Sequence, residues 1–221
     1  MSDRWATFDC YGTLIDWEGG IRAEMSSLWP DADPDALLRR HHAVEPLVQE
    51  GRSLTYREVL ARCLEAVAAI EGRPLDPAAR FALADSLPSW PVFGEVPATL
   101  TQLRERGWRI AILSNTDPDL LAASVANIGV DIDLRITAAE AGSYKPAHGH
   151  WQRFFADTGA DRSRHVHVAA SLFHDIAPAA ELGMPSIWIN RLAETSDLPR
   201  AGELTTLTGL ADALDALVPE R

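Results

Sequence analysis

Short apolar segments alternate with amphipathic helical segments along the second half of the chain, and this alternation limits the possible folds most narrowly. The apolar segments are predicted as strands over 109–113, 134–137, 165–169 and 186–189. The segments with helical spacing are predicted as helices over 98–106, 117–128, 149–158, 176–182 and 207–217. Because consecutive parallel strands need a crossover connection, usually a helix, this order favours a parallel sheet. The predicted fold class is α/β, with a Rossmann-like, doubly wound core.

One further apolar segment lies at the N-terminus, separated from the others by a long helical pattern. Residues 5–8 are predicted as a buried strand, which ends at the glycine-containing turn Asp9-Cys10-Tyr11-Gly12-Thr13. From about Ile21 to Ala84 apolar residues recur three and four positions apart, and several prolines follow. We therefore expect a core formed by residues 1–16 and 96–221, with an α-helical cap domain inserted over 17–95.

The charge balance excludes some classes of partner. The formal net charge is −12 and the pI is near 4.9, so the long-range field opposes binding to nucleic acid or to an anionic membrane surface. A small anionic substrate is still compatible, because a buried cation dominates the potential inside a pocket. We therefore expect the pocket to supply an arginine or a lysine.

Cysteine content and hydropathy indicate the compartment. Cys10 and Cys63 are the only cysteines, too few for a disulfide framework. The N-terminal residues lack a signal-peptide core, and no later apolar stretch approaches the length of a membrane span. These features predict a cytoplasmic protein without a membrane segment.

Polar side chains follow the predicted strands at the points where they end. Asp9 and Thr13 follow the first strand, and Ser114-Asn115 follows the next one along the chain. Lys145 lies between the later strands, and Ser171 and Asp175 follow the strand over 165–169. In open parallel sheets, reactive groups gather beyond the carboxyl ends of the strands. An acid, hydroxyl and amide groups and a cation around one cleft predict a covalent hydrolase site.

An ordered set of motifs resembles the haloacid dehalogenase superfamily. The quoted segments are Phe8-Asp9-Cys10-Tyr11-Gly12-Thr13-Leu14, Leu113-Ser114-Asn115, Tyr144-Lys145-Pro146 and Ser171-Leu172-Phe173-His174-Asp175-Ile176, which resemble its first to fourth motifs. Trp188-Ile189-Asn190-Arg191 is similar to a segment of the L-2-haloacid dehalogenase branch. The resemblance covers nearly the whole chain, and the helical insertion lies where the family places its cap.

The resemblance implies that Asp9 attacks carbon or phosphorus and that water then hydrolyses the resulting ester. The superfamily's phosphatases carry a second aspartate two residues after the nucleophile, which protonates the leaving alkoxide, and here that position is Tyr11. A phenol, with an ordinary pKa of about 10, is a poorer acid at neutral pH than a carboxyl group. A halide leaving group needs no proton, so the substitution favours dehalogenation.

The fourth motif leads to the same interpretation. Phosphatases of this type hold Mg²⁺ partly through an aspartate whose position matches Ala170 here. We therefore expect no metal and no cofactor. The dehalogenase branch usually has Ser-Ser-Asn where this chain has Ala170, Ser171 and Leu172, so groups that help to place Asp9 and the attacking water are replaced.

The resemblance also implies roles for the candidate catalytic residues. Lys145 would hold and orient the charge of Asp9, and Asp175 would position Lys145. Thr13 and Ser114 would donate hydrogen bonds to Asp9 or to the substrate carboxylate.

The substrate contacts implied by the resemblance are less regular. Arg40, ahead of Arg39, matches the cap arginine that contacts the substrate carboxylate or halide, and a guanidinium suits a carboxylate better than an ammonium does. Asn115 would help to hold the leaving halide. The other expected substrate contacts are Tyr11, Ser171 and Trp151, the last at the position of a family tyrosine.

The resulting hypothesis is an (S)-2-haloacid dehalogenase that acts on a small anionic organic acid. Alternatives are hydrolysis of another C–X bond, such as ring opening of a small cyclic amino acid, a weak Mg²⁺-dependent phosphatase, or a catalytically degenerate binding protein. Taken alone, Asp175 could only cap a helix, and His165 and His167 could suggest a metal site. A homodimer is implied by family similarity alone.

Overall fold

A computed structural model of the protein describes residues 4–49 and 54–220. The first elements are β1 (Trp5–Phe8), α1 (Trp17–Leu28), α2 (Pro34–Gln49), α3 (Tyr56–Ile70), α4 (Ala82–Ser86) and α5 (Val96–Glu105). They are followed by β2 (Arg109–Ser114), α6 (Pro118–Ile128), β3 (Leu134–Thr137), α7 (Ala138–Ala141) and α8 (Gly149–Thr158). The remaining elements are β4 (His165–Ala169), α9 (Ala177–Glu181), β5 (Ser186–Ile189), β6 (Gly202–Leu204) and α10 (Leu210–Leu217).

The strands form one parallel sheet in the order β3-β2-β1-β4-β5-β6. The central strand β1 pairs with β2 on one side and with β4 on the other, so that Thr7 lies beside Ala111 and His167. Strands β2 and β3 are added on one side of β1, and the chain then crosses back so that β4 pairs with the other side of β1. This switch point between β1 and β4 is where an open α/β sheet places its ligand crevice. The predicted doubly wound α/β fold is confirmed.

The sheet belongs to a compact unit formed by the residues up to Ile15, by Val92–Asn115 and by the residues from Ile128 onward. Its strands β1, β4 and β5 are buried throughout, which explains their continuous apolar character. One side of the sheet has a core cluster that contains Trp5, Ala111, Leu113, Ile136, Trp151, Phe154, Ala179 and Met184. This packing holds the carboxyl ends of the strands in fixed positions.

A second, helical unit comprises Asp16–Pro91 and Thr116–Asn127. It includes α1 to α4, and we expected such a unit over residues 17–95. In the structure this helical unit also includes most of α6, which we expected in the core. The physical reason is Asp117, whose carboxylate accepts hydrogen bonds from the backbone amides of Tyr56 and Arg57 at the start of α3, each at 2.9 Å.

The described residues contain two elements that the sequence analysis did not predict, α7 and β6. A helix was expected to begin at Ile176, but the chain forms a π-type turn over Leu172–Ile176 first. None of the helices within the described ranges is both long enough and apolar enough to cross a membrane.

Candidate active site

Asp9 follows the central strand β1 and lies almost completely buried at the carboxyl edge of the sheet. Its Oδ1 accepts a hydrogen bond from Lys145 Nζ at 2.8 Å, and its Oδ2 accepts one from the Thr13 hydroxyl at 2.9 Å. The Thr13 oxygen in turn accepts from the backbone amide of Ala170 at 2.9 Å. The turn after β1 and the end of β4 therefore fix the orientation of the Asp9 carboxylate together.

Lys145 is 2% exposed, and its ammonium group lies at the centre of the site. Nζ donates to Asp9 Oδ1 at 2.8 Å, to Asp175 Oδ1 at 2.7 Å and to the Leu113 carbonyl at 2.9 Å. These contacts use the three protons of an ammonium group. Such a cation is held as a fixed charge between two carboxylates.

Asn115 holds the backbone that carries Lys145. Its side-chain Oδ1 accepts from the Lys145 amide at 2.6 Å, and its Nδ2 donates to the Lys145 carbonyl at 2.9 Å. This pair of bonds ties the residue after β2 to the loop before α8. Asn115 was predicted to hold a leaving halide; its Nδ2 carries a second proton that the Lys145 carbonyl does not use, and the halide contact stays a prediction.

Asp175 is positioned by the turn that follows β4. Ser171 caps this turn by accepting a hydrogen bond from the His174 amide at 3.0 Å. Asp175 is completely buried, and its Oδ1 accepts from both Lys145 Nζ and His167 Nε2, at 2.7 and 3.0 Å. The carboxylate is therefore an internal counter-ion of Lys145, as well as part of the turn.

Burial and the neighbouring opposite charge act in opposite directions on the pKa values of Asp9, Lys145 and Asp175. Burial raises the pKa of Asp9, and Asp175 adds to this rise, while Lys145 opposes it. For Asp175, burial also acts to raise the pKa, but Lys145 and His167 outweigh it and lower the pKa well below its usual range. The two carboxylates likewise overcome the effect of burial on Lys145 and raise the pKa of its ammonium group. At neutral pH this gives an ionised Asp175, a charged Lys145 and an Asp9 that is harder to ionise than an exposed carboxyl.

Three other predicted residues lie close to these groups along the chain. Ser114 is buried at the end of β2, and its carbonyl oxygen faces His150 Nε2 at 3.1 Å. Tyr11 is half-buried in the loop that contains Asp9. The hydroxyl of Ser171 is engaged with both the amide and Nδ1 of His174, at 3.0 and 3.1 Å. The predicted role of these residues as donors to a substrate stays a prediction.

Trp151 and Arg40 were also predicted to contact the substrate, and these roles stay predictions. Trp151 is 1% exposed within the apolar core cluster and contacts the His167 ring edge to face. Arg40 lies on the surface of the helical unit, 56% exposed, and its Nε donates to Glu71 at 2.8 Å. The neighbouring Arg39 is also exposed and faces Asp33 at 3.7 Å.

Three further polar residues near this site were not predicted to take part in catalysis. His167 binds Asp175 directly, Thr7 binds His167, and His174 lies beside Asp175 on the same turn. Burial lowers the pKa of His174 below its usual value, and the charge of Lys145 adds to this effect, whereas the charges of Asp175 and Asp9 oppose it, so the imidazole is neutral at pH 7. Two signals were present in the sequence. Polar residues interrupt a buried strand at 165 and 167, and Lys145 is the only lysine in the chain.

The residues at this site do not fit a magnesium ion. Mg²⁺ prefers several carboxylate oxygens, and two positions that could supply or support them carry Ala170 and Tyr11. The oxygens Asp9 Oδ1 and Asp175 Oδ1 already bind the ammonium group of Lys145. Within residues 4–49 and 54–220, no cluster of three or more histidine, cysteine or acidic side chains could hold a metal.

Comparisons with known proteins agree with this geometry. The sequence model of the haloacid dehalogenase-like hydrolases matches residues 4–183. An (S)-2-haloacid dehalogenase of Pseudomonas sp. (strain YL) is 28% identical over 201 residues, covering 83% of this chain and 81% of that protein. (S)-2-haloacid dehalogenase 1 of Pseudomonas sp. (strain CBS-3) is 28% identical, with 96% of both chains covered.

Solved structures show the same fold. A crystal structure of an L-2-haloacid dehalogenase aligns with a TM-score of 0.86 at 24% identity, covering 97% of this chain and 100% of that chain. The L-2-haloacid dehalogenase of Xanthobacter autotrophicus aligns with a TM-score of 0.84 at 18% identity, covering 96% of this chain and 98% of that chain.

Proposed function

Because this chain belongs to the haloacid dehalogenase-like hydrolases, we propose that it hydrolyses the carbon–halogen bond of a small (S)-2-haloacid, with Asp9 as the nucleophile. The two curated relatives at 28% identity are (S)-2-haloacid dehalogenases, which supports this choice of substrate. The substrate is then an anionic organic acid, and the products are a halide ion and a 2-hydroxy acid.

One observation carries the proposal. The Asp9 carboxylate is buried between Lys145 Nζ and the Thr13 hydroxyl, at 2.8 and 2.9 Å. The position two residues later, where a phosphatase would carry its acid, is Tyr11. A carboxylate held in this way can displace a leaving group that needs neither a proton nor a metal ion, and a halide is such a group.

The first step forms an ester on Asp9. A carboxylate oxygen attacks C2 of the haloacid, the carbon–halogen bond breaks, and its electron pair leaves with the halide. The configuration at C2 inverts, because the attack comes from the side opposite to the leaving group. Lys145 and Thr13 hold the carboxylate in one orientation, so little orientational freedom is left to lose in the transition state.

The second step hydrolyses that ester. Water attacks the carboxyl carbon of Asp9, the bond from this carbon to the product oxygen breaks, and the hydroxy acid leaves. We assign the proton of the attacking water to His174, since it is the neutral imidazole on the turn that carries Asp175. His174 would then replace the polar groups that are lost at Ala170 and Leu172. One halide and one proton are released in each turnover.

The contacts to the substrate carboxylate stay predictions. Tyr11, two residues after Asp9, and Ser114, next to Asn115, are predicted to donate hydrogen bonds to the substrate carboxylate. Arg40 is predicted to bind the same carboxylate through its guanidinium group. Replacement of Arg40 by lysine, with Arg39→Lys as the matched variant, tests this assignment through KM. A cytoplasmic location and a homodimer also stay predictions, and light scattering of the purified protein tests the second.

The proposed function is tested by a halide-release screen over chloro-, bromo- and fluoro-substituted 2-alkanoic acids. We expect release from the (S) enantiomers by the wild-type protein and none by Asp9→Asn. His174→Gln should form the Asp9 ester but hydrolyse it slowly, so that intact mass spectrometry shows the ester accumulating. Release of an amine from a cyclic amino acid, or chelator-sensitive release of phosphate, with no halide released, would contradict the proposal.

A further inference from the structure

A row of four buried polar side chains extends from the active site into the sheet. Its members are Asp175, His167, Thr7 and His165, and each is 0% exposed. Thr7 on β1 lies directly beside His167 on β4 in the strand register. His165 lies two residues before His167 and therefore on the same face of the sheet. The strands thus bring these side chains together where apolar residues would be expected.

Each neighbouring pair in this row is within hydrogen-bond distance. His167 Nε2 lies 3.0 Å from Asp175 Oδ1, and His167 Nδ1 lies 2.8 Å from the Thr7 hydroxyl. The same hydroxyl lies 2.8 Å from His165 Nε2. Trp151 packs edge to face on His167, and Phe154 and Phe155 pack on His165, so the two rings have little freedom to turn.

These contacts determine where the protons are. Asp175 is ionised and can only accept, so His167 Nε2 must carry a proton. If Nδ1 of His167 is then unprotonated, it accepts a hydrogen bond from the Thr7 hydroxyl. The Thr7 oxygen in turn accepts one from the Nε2–H of His165. Burial lowers the pKa of His165 to about 3, so His165 is neutral and carries one proton. With that proton on Nε2, its Nδ1 is also unprotonated. Among the described residues, His165 Nδ1 has no hydrogen-bond partner, so a proton on Nδ1 would have no acceptor.

A doubly protonated His167 would not satisfy the same row. Both of its nitrogens would donate. With the His165 proton on Nε2, the Thr7 oxygen would accept from both histidines, and the Thr7 proton would have no acceptor. With the His165 proton on Nδ1, that N–H would have no acceptor among the described residues. Either arrangement leaves one buried donor unsatisfied, which costs about 1–3 kcal/mol. The neutral Nε2–H form satisfies every donor in the row.

We propose that His167 is a positioning residue for catalysis: its imidazole, fixed by Thr7 and His165, donates from Nε2 to Asp175 and thereby holds Lys145 against the nucleophile. Asp175 Oδ1 is shared by Lys145 and His167, at 2.7 and 3.0 Å, so both donors fix the same oxygen. Within the part of the chain that the structure describes, His165 Nδ1 has no hydrogen-bond partner, so the row stops at His165. It orients Asp175, and it does not carry protons to solvent.

This inference rests on the proposed function, and three variants test it. His167→Leu removes the donor to Asp175, whereas His167→Gln keeps an N–H donor near the position of Nε2. Thr7→Val removes the hydroxyl and keeps the side-chain shape. His148→Gln is the matched control, since His148 is partly exposed and pairs with Glu181. Thermal unfolding of every variant separates loss of folding from loss of positioning.

We expect His167→Leu to lower kcat about ten- to hundredfold, the effect of removing a hydrogen bond to a charged group, with KM within about twofold. His167→Gln should recover most of this loss, Thr7→Val should be intermediate, and His148→Gln should match the wild type. Equal kcat values for the leucine and wild-type proteins would overturn the proposal. So would a glutamine variant that is folded and as slow as the leucine variant.

The titration of Asp175 gives a readout that a purely structural role would not change. The titratable groups that act on Asp175 are Lys145, Asp9, His150, His167 and His174. The hydrogen bond from His167 lowers the pKa of Asp175, so its removal raises that pKa. Carboxyl-carbon NMR of ¹³C-aspartate-labelled protein should therefore show Asp175 taking up its proton at higher pH in His167→Leu than in His167→Gln. The same Asp175 titration in both variants would contradict the proposal.

Nitrogen NMR of ¹⁵N-histidine-labelled wild-type protein tests the same inference without substrate. We expect protonated Nε2 and unprotonated Nδ1 for both His165 and His167. An Nδ1–H form of His167 would overturn the proposal even if dehalogenase activity is found. If no halide is released from any substrate, the proposed function fails, while the NMR result still decides whether the row exists.

Discussion

Lys145 is the residue on which the electrostatics of the site depend. It is the only lysine in the sequence, it is buried, and it separates the charges of Asp9 and Asp175. An arginine has a larger, planar head group and could not present three protons from one atom to three acceptors. The site therefore explains why this single ammonium group is present in a chain whose other cationic side chains are arginines.

Replacement of Lys145 by methionine leaves two buried carboxylates without a cation. We expect the free energy of unfolding at pH 7 to fall by about 3–5 kcal/mol. Without Lys145, the folded-state pKa values of both carboxyl groups rise because burial is less opposed, so this loss should shrink as the pH is lowered. Urea denaturation at pH 5 and pH 8 measures it, with the surface ion-pair variant Arg153→Met as the control. A loss that is equal at both pH values would contradict the assignment.

The raised pKa of Asp9 predicts the acidic limb of the wild-type reaction. Burial is the main cause of the rise from the usual value of 3.8. Because only ionised Asp9 attacks the substrate, kcat/KM should rise with pH through a pKa above that usual value. A pH profile of halide release measures the limb. A midpoint at or below the ordinary carboxyl range would show that Lys145 outweighs burial.

At the scale of the elements, the sequence predicted the strands well because they are apolar and bounded by turn residues. The strands over 134–137, 165–169 and 186–189 were predicted with their observed bounds, and β2 extends one residue further, to Ser114. The edge strand β6 was missed, since Gly202–Leu204 is short and only partly buried. The helix α7 was missed because it depends on a local capping box between Thr137 and Glu140.

The candidate site could be predicted only in part, for a related reason. Motif order placed Asp9, Thr13, Lys145 and Asp175 correctly on their strand ends and loops, although their catalytic roles are untested. The partners of Asn115 and His167 depend on contacts across the sheet, which a one-dimensional pattern does not contain. Trp151 was predicted as a substrate contact from its motif position, and its place in the apolar core depends on packing that the motif does not contain.

Helix α1 offers a test of packing within the helical unit. Gly20 is buried, and a methyl group added there would lie only 2.3 Å from an atom of the Trp90 ring. Alanine normally stabilises a helix relative to glycine by about 1 kcal/mol, but an overpacked contact costs about 1–3 kcal/mol. We expect Gly20→Ala to lower the melting temperature. Gly94→Ala is the control, since nothing lies within 4 Å of its added methyl group. An unchanged or higher melting temperature for Gly20→Ala would contradict this packing.

At the scale of the whole molecule, the net charge of −12 opposes the approach of an anionic substrate. Salt screens this repulsion, with a Debye length of about 10 Å at 0.1 M. We therefore expect kcat/KM for (S)-2-chloropropionate to rise when sodium sulfate is added from a low starting ionic strength. Thermal unfolding at each salt concentration controls for stabilisation by sulfate. A fall in kcat/KM would indicate that local positive charge dominates the approach.

The central claim is that Asp9 is transiently esterified, and a single turnover in H₂¹⁸O tests it most directly. With enzyme in excess over (S)-2-chloropropionate, the hydroxy acid should carry ordinary oxygen from Asp9, and the peptide that contains Asp9 should gain one heavy oxygen. Heavy oxygen in the first-turnover product, with an unlabelled Asp9 peptide, would mean that water attacks the substrate directly and would contradict the claim.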